Sequence, residues 1–149
     1  MYIIAQIMSL ICLCGAILDN KIESPDGYSR SKAQLSMVSV NASSAELTKG
    51  GNTYEKPTGG KCYVKGSDIL GCSCSTDQAV AITSGGTVVA VVCTQSCGSG
   101  CPKPPRGAAE CLFGVCFIRC KYDEDCPGSG FCEDFRLAGF SGFGCMFAQ

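Results

Sequence analysis

The chain has no histidine and no tryptophan. Without histidine it lacks the usual general base, the commonest metal ligand and the side chain whose charge switches near neutral pH. A serine or cysteine nucleophile would need an unusual base such as lysine, and no such constellation stands out. The composition therefore argues against an enzyme and against a resident cofactor or metal. Charge is also sparse: charged residues make up 17% of the chain and the formal net charge is −1. There is no basic run, no Gly-rich phosphate loop and no stacking platform, so neither nucleic acid nor an acidic membrane surface is an expected partner. Long helices are excluded from the last third of the chain. Pro102, Pro104, Pro105 and Pro127 stand there among glycines at 107, 114, 128, 130, 139, 142 and 144.

What the chain has is cysteine, fourteen in 149 residues. In a short secreted chain that density signals a disulfide scaffold. The opening stretch "MYIIAQIMSLICLCGAILDN" carries an apolar run from Ile3 to Leu18. The run has the length of a secretory h-region and is shorter than most membrane spans. Ala16, with Cys14 two residues before it, predicts signal-peptide cleavage after residue 16, although no Lys or Arg precedes the run. Cleavage there removes Cys12 and Cys14. Of the fourteen cysteines twelve remain: Cys62, Cys72, Cys74, Cys93, Cys97, Cys101, Cys111, Cys116, Cys120, Cys126, Cys132 and Cys145. An even count suits a fully bridged extracellular protein. Each bridge contributes about 2–4 kcal/mol, mainly by restricting the unfolded chain. The spacing contains neither a C-x2-C pair nor a histidine, so thiolate–metal and redox readings are disfavoured.

Four regions follow. Residues 1–16 are the signal peptide. Residues 17–60 hold no cysteine beyond the leader and read as a flexible polar arm. Within the arm "LSMVSV" is a candidate edge strand, and Asn41 in "NAS" is a glycosylation sequon. Residues 61–100 form a cysteine-rich hairpin block, in which "QAVAITSGGTVVAVVC" reads as two β runs around Gly85-Gly86. Its second run, Thr87 to Cys93, is apolar on both faces and should be covered on both. Residues 101–149 form a second cysteine-rich block of loops, turns and short strands. The blocks hold five and seven cysteines. Both counts are odd, so full pairing forces at least one bridge between them.

The string "CPKPPRGAAECLFGVCFIRCKYDEDCPGSGFCE" resembles the whey acidic protein family, the four-disulfide-core domain. Cys101 takes the first family position, Cys111 the second, and Cys120, Cys126 and Cys132 the third to fifth. The gaps Cys111-x8-Cys120-x5-Cys126-x5-Cys132 and the run Asp123 to Gly128 match. Glu133 stands at the sixth cysteine position, Cys145 alone remains for the closing pair, and Cys116 falls inside the Cys111–Cys120 loop. The resemblance implies a Cys120–Cys132 bridge, closing a small acidic hairpin that turns at Pro127-Gly128. It leaves Cys101 and Cys116 as candidate partners for the upstream block. The acidic run Asp123-Glu124-Asp125 reads as a solvated turn, with weak calcium binding as the sharper alternative.

The expected fold is small, disulfide-rich, and mainly β and loop: a hairpin block followed by a whey-acidic-like module. The expected function is a secreted, non-enzymatic binding protein with an extracellular protein target. The resemblance implies a serine-protease inhibitor whose contact loop is "LFGVCFIR". Leu112 would fill a chymotrypsin- or elastase-like pocket and Phe113 would follow the scissile bond. Against this stands the simpler reading that Leu112, Phe113, Val115, Phe117 and Ile118 form the module's small core. A structural matrix protein or a toxin- or effector-like ligand is the alternative function. Membrane lysis is disfavoured, since residues 101–149 carry five cations against six carboxylates. N-terminal sequencing of secreted protein is expected to begin near Ile17; retention of Met1 in a membrane fraction would refute the leader.

Overall fold

The computed structural model describes residues 51–138 and 141–149, together with the backbone of a short strand at 34–36. The signal peptide expected over residues 1–16 and the sequon at Asn41 lie outside the described residues, as does most of the expected arm. The protein is a small disulfide-rich β protein. Its strands are β1 (Gln34–Ser36), β2 (Tyr63–Lys65), β3 (Asp68–Leu70), β4 (Gln78–Ser84), β5 (Thr87–Thr94), β6 (Ala108–Leu112), β7 (Val115–Arg119), β8 (Gly130–Asp134) and β9 (Phe143–Ala148). Among the described residues the only helical pieces are short 3₁₀ turns at Asp123–Asp125 and Phe135–Ala138.

The hairpin read around Gly85-Gly86 is β4–β5. Both glycines have positive φ, 58° and 82°, which is the two-residue turn that matches the twist of its flanking strands. Strand β1 overlaps the edge strand expected over LSMVSV at Leu35 and Ser36 and pairs Leu35 with Ile82 of β4; the rest of that run lies outside the described residues. Both faces of β4–β5 are covered. Val80, Ile82, Ala90 and Val92 join a core with Leu112, Val115, Phe117, Phe131, Phe135, Met146 and Phe147. Ala79, Ala81, Val88, Val91 and Cys93 face the other way, against Cys62, Ile69 and Cys74.

The two cysteine-rich blocks share one sheet, in the order β1-β4-β5-β9-β7-β6, with β8 also paired to β9. Strand β9 joins them. One of its edges pairs with β8 from Phe143 to Phe147. The other is divided between β5, at Phe147 and Ala148, and β7, at Gly144. Nor is the arm a separate element up to residue 60. Tyr54 is buried, its N–H donates to the Cys93 carbonyl, and its hydroxyl donates to the Pro102 carbonyl at 2.8 Å. Gly51 pairs with Cys74 and Thr58 with Ser73. Backbone pairing with the hairpin block thus fixes residues 51–60, a signal that polar composition hides.

All twelve cysteines from Cys62 to Cys145 are bridged: Cys62–Cys72, Cys74–Cys93, Cys97–Cys111, Cys101–Cys116, Cys120–Cys132 and Cys126–Cys145. One bridge crosses between the blocks, but it runs through Cys97 and Cys111. Cys101 and Cys116, the pair expected to reach upstream, bind each other. The Thr94 hydroxyl donates to the Cys116 carbonyl, and the Cys116 N–H donates to the Gln95 carbonyl at 2.9 Å, so β7 lies against the end of β5. That contact leaves Cys116 facing Cys101 and places Cys97 beside Cys111 at the β6–β7 turn.

Gly144 sets the close packing of the core. A Cβ there would lie 2.7 Å from a Phe135 ring carbon and 2.9 Å from a Phe117 ring carbon. Gly144→Ala is therefore expected to cost roughly 1–3 kcal/mol through overpacking, read as an earlier midpoint in guanidinium unfolding of the oxidised protein. An unchanged midpoint would show that the rings move aside.

Candidate functional site: a stapled hairpin and a charged cleft

Leu112 and Phe113, the candidate protease-contact residues, do not form an extended loop. They sit at the β6–β7 turn, where Leu112 pairs with Val115 and only Phe113 and Gly114 lie between. Phe113 has φ 57° and Gly114 φ 82°, the same tight turn that glycines make at β4–β5. A phenylalanine rarely adopts this conformation. Here its ring rests edge-on against Phe135 at 5.5 Å and Phe117 at 6.2 Å, contacts that offset the backbone cost. Leu112 is 9% exposed and packs over Gly142. These side chains belong to the core with Val115 and Phe117, while Ile118 faces the cystine cluster on the other side of the sheet, and a protease pocket cannot take Leu112 without unpacking it.

The stretch from Cys120 to Cys132 is a doubly stapled loop and not a hairpin, because β8 pairs with β9 instead of β7. Cys132 and Cys145 are register neighbours on β8 and β9, and their bridge partners Cys120 and Cys126 flank the acidic run. The acidic run works on its own backbone. Asp123 Oδ1 accepts from the Cys132 N–H at 2.8 Å. Asp125 Oδ2 accepts from the N–H groups of Lys121 and Tyr122 at 2.8 and 3.0 Å. These two backbone bonds hold the Asp125 carboxyl below the usual carboxylate range. The sulfurs of Cys120, Cys126 and Cys145 lie within 4.8 Å of one another, but they belong to two bridges and are cystine, not thiolate. Glu133, at the family's sixth cysteine position, is a buried residue of β8.

Two surfaces carry chemistry that the sequence reading did not single out. The first is the β2–β3 hairpin, with Tyr63 opposite Leu70 and Lys65 opposite Asp68. Gly66, φ 64°, opens its two-residue turn. Ile69 is buried against the β5 face with Val64 beside it. The alternation that turns Ile69 inward turns Tyr63 and Leu70 outward, where they are 53% and 38% exposed. The Cys62–Cys72 bridge closes the base of the hairpin. The Tyr63 ring lies against Gly71, where a Cβ would meet it at 2.9 Å. The alternation in "YVKGSDIL" between cysteines was the available signal.

The second surface is a cleft of about 570 Å³ beside β6, lined by Arg106, Ala108, Glu110, Arg119, Lys121, Asp125 and Phe143, among others. An Arg106 Nη donates to the Glu124 carbonyl at 2.7 Å, tying the start of β6 to the acidic turn. Arg119 and Glu110 stand 3.9 Å apart. At the rim Arg136 grips Asp134 with two parallel bonds and stacks over Phe143 at 4.6 Å.

The Asp125 bonds give a pH signature. A carboxyl with a lowered folded value stabilises its turn above the ordinary value of 3.8, and this is lost as the pH falls below 3.8 through the folded value. The Asp125 carboxyl is expected to titrate by NMR below 3.8, with the Lys121 and Tyr122 amides following the same midpoint. A midpoint at or above the ordinary value would refute the caps.

The chain was compared with family models, with curated proteins and with solved structures. It matches none of them, so its function is argued from these surfaces alone.

Proposed function

We propose that the protein is an extracellular, disulfide-locked binding protein, and not a catalyst, that presents the β2–β3 hairpin to a protein partner. The observation that carries this reading is the Tyr63–Leu70 pair. Two large apolar side chains stand side by side in solvent on a hairpin stapled by Cys62–Cys72. Tyrosine is enriched at binding hot spots because it presents a large amphipathic surface with few rotatable bonds. The bridge beneath it reduces the ordering cost of association. Lys65 and Asp68 at the tip supply one charge of each sign for a polar rim. Six bridges in the described chain favour an oxidising compartment, which the proposed leader would reach.

The whey-acidic-like reading of residues 101–132 enters this proposal through the Cys120–Cys132 bridge alone. Its inhibitory loop gains no support, since Leu112 is in the core. The matrix and effector alternatives need the same kind of exposed contact surface and differ only in the partner.

A photo-crosslinking phenylalanine analogue at position 63 is expected to capture one extracellular partner. The same probe at position 122, where Tyr122 is 59% exposed but stands beside Lys121, is expected to capture none. Leu70→Ser should then weaken the isolated complex by roughly 30-fold or more, the loss expected at a hot spot. Equal capture at both positions, or full affinity in Leu70→Ser, would overturn the reading.

A further inference from the structure

We infer that the partner of the β2–β3 hairpin is a second copy of this chain, held face to face about a two-fold axis that runs along the strands. The inference rests on reading the hairpin as a binding surface and names what it binds.

The register sets four side chains on the outer face in two rows. Tyr63 stands beside Leu70, and Lys65 stands beside Asp68. All four are exposed, while Val64 and Ile69 between them turn to the other face. Among the described residues Lys65 and Asp68 form no ion pair, with each other or with any neighbour. The outer face thus holds one apolar row and one row with an unused charge of each sign.

Such a face is its own complement. A two-fold axis along the strands lays β2 of one copy over β3 of the other and keeps each row at the same level. Tyr63 then meets Leu70 of the second copy, and Lys65 meets its Asp68. By symmetry each contact occurs twice. Turned end for end, the face would set Leu70 against Asp68 of the second copy and Tyr63 against Lys65. Only the first arrangement places apolar on apolar and each charge on its opposite. Sheets that pack face to face keep their strands within about 30° of each other, which the twist of two short strands allows.

The rest of the molecule permits this approach. The formal net charge is −1, so two copies repel each other little. The turn at the tip is Gly66-Ser67. At the base Gly60 lies against the Gly71 carbonyl, and neither glycine carries a side chain that could hold a flat partner off. The Tyr63 ring already rests against Gly71, and Cys62–Cys72 closes the hairpin below it. The face is therefore ordered before it is covered, which lowers the cost of association. It is also small, so the dimer is weak and reversible.

Sedimentation of the oxidised protein over a range of concentrations tests this. A monomer–dimer equilibrium is expected by about 1 mM, weaker at high salt. Lys65→Asp and Asp68→Lys should each weaken the dimer about tenfold, since two attractive exposed pairs become two repulsive ones. A mixture of the two variants should associate again as a heterodimer, because each copy then offers the charge the other lacks. A misfolded hairpin would show no such recovery. In a mixed-isotope sample, NOEs should join the Tyr63 ring of one copy to the Leu70 methyls of the other. The inference is overturned if the protein stays monomeric at that concentration, if the mixed variants associate no better than either alone, or if Tyr63 of one copy contacts Lys65 of the other instead. A monomer whose position-63 probe captures a different protein would overturn this inference and leave the hairpin reading standing. A probe that captures neither another protein nor a second copy would overturn both.

Discussion

The structure depends on β9. One edge of this strand carries all of β8, and the other is divided between β5 and β7. It pairs with β5 of the first cysteine-rich block and with β7 and β8 of the second, and Cys145 ties it to the acidic loop. Its side chains serve both faces. Met146 goes to the phenylalanine core, and Cys145 to the cystine cluster that holds Cys116, Cys120, Cys126 and Cys132. Without β9 no strand-long pairing would join the β4–β5 and β6–β7 hairpins, which otherwise meet through the backbone between Thr94 and Cys97, the Cys97–Cys111 bridge and the apolar side chains of their shared core.

The bridges complement this hub because they are local. They span 10 to 19 residues, and at about 2–4 kcal/mol each they stabilise mainly by limiting what the unfolded chain explores. Long-range order comes from burial and strand pairing instead. The apolar core is small for the chain, and a cluster of cystines stands in for aliphatic packing on the far face of β7 and β9. A rigid frame of this kind can leave Tyr63 and Leu70 in solvent and one sheet edge open without loss of order.

Much of the first block was legible in the sequence. Gly85-Gly86 announced its turn, and the valine density of β5 required cover on both faces. The odd cysteine counts required a bridge between the blocks. Its partners were not legible, because they depend on how β7 meets the end of β5. Strand β9 was hidden by its own composition. Gly142 and Gly144 read as loop, yet Gly144 is glycine because the Phe117 and Phe135 rings occupy the space of a side chain. The β6–β7 turn was hidden in the opposite way, since phenylalanine is a poor signal for positive φ. Its ring contacts, invisible in sequence, hold it there. The same contacts draw Leu112 and Phe113 into the core, where the matched cysteine spacing had implied an extended loop. The exposed Tyr63–Leu70 pair was written as simple alternation, but alternation alone does not say which face is covered.

The order of the bridges along the chain has a further consequence. Cys97–Cys111 interlocks with Cys101–Cys116, and Cys120–Cys132 interlocks with Cys126–Cys145. A single backbone cut almost anywhere between Cys62 and Cys145 therefore leaves both ends covalently tethered. The exceptions are the stretches between Cys72 and Cys74, Cys93 and Cys97, and Cys116 and Cys120. In the first, Ser73 is paired to Thr58 in both directions. In the second, Thr94 is fully buried and Gln95 is bonded to Cys116. In the third, Phe117 and Ile118 are buried, and Arg119, whose side chain is exposed, has its backbone paired with Ala108 on one side and Gly144 on the other. Wherever the covalent net has a gap, the backbone is buried or paired in the sheet. Between Cys62 and Cys145 a digestive enzyme would find its readily accessible bonds at places where hydrolysis releases nothing, so this part of the molecule can be nicked and still persist as one object.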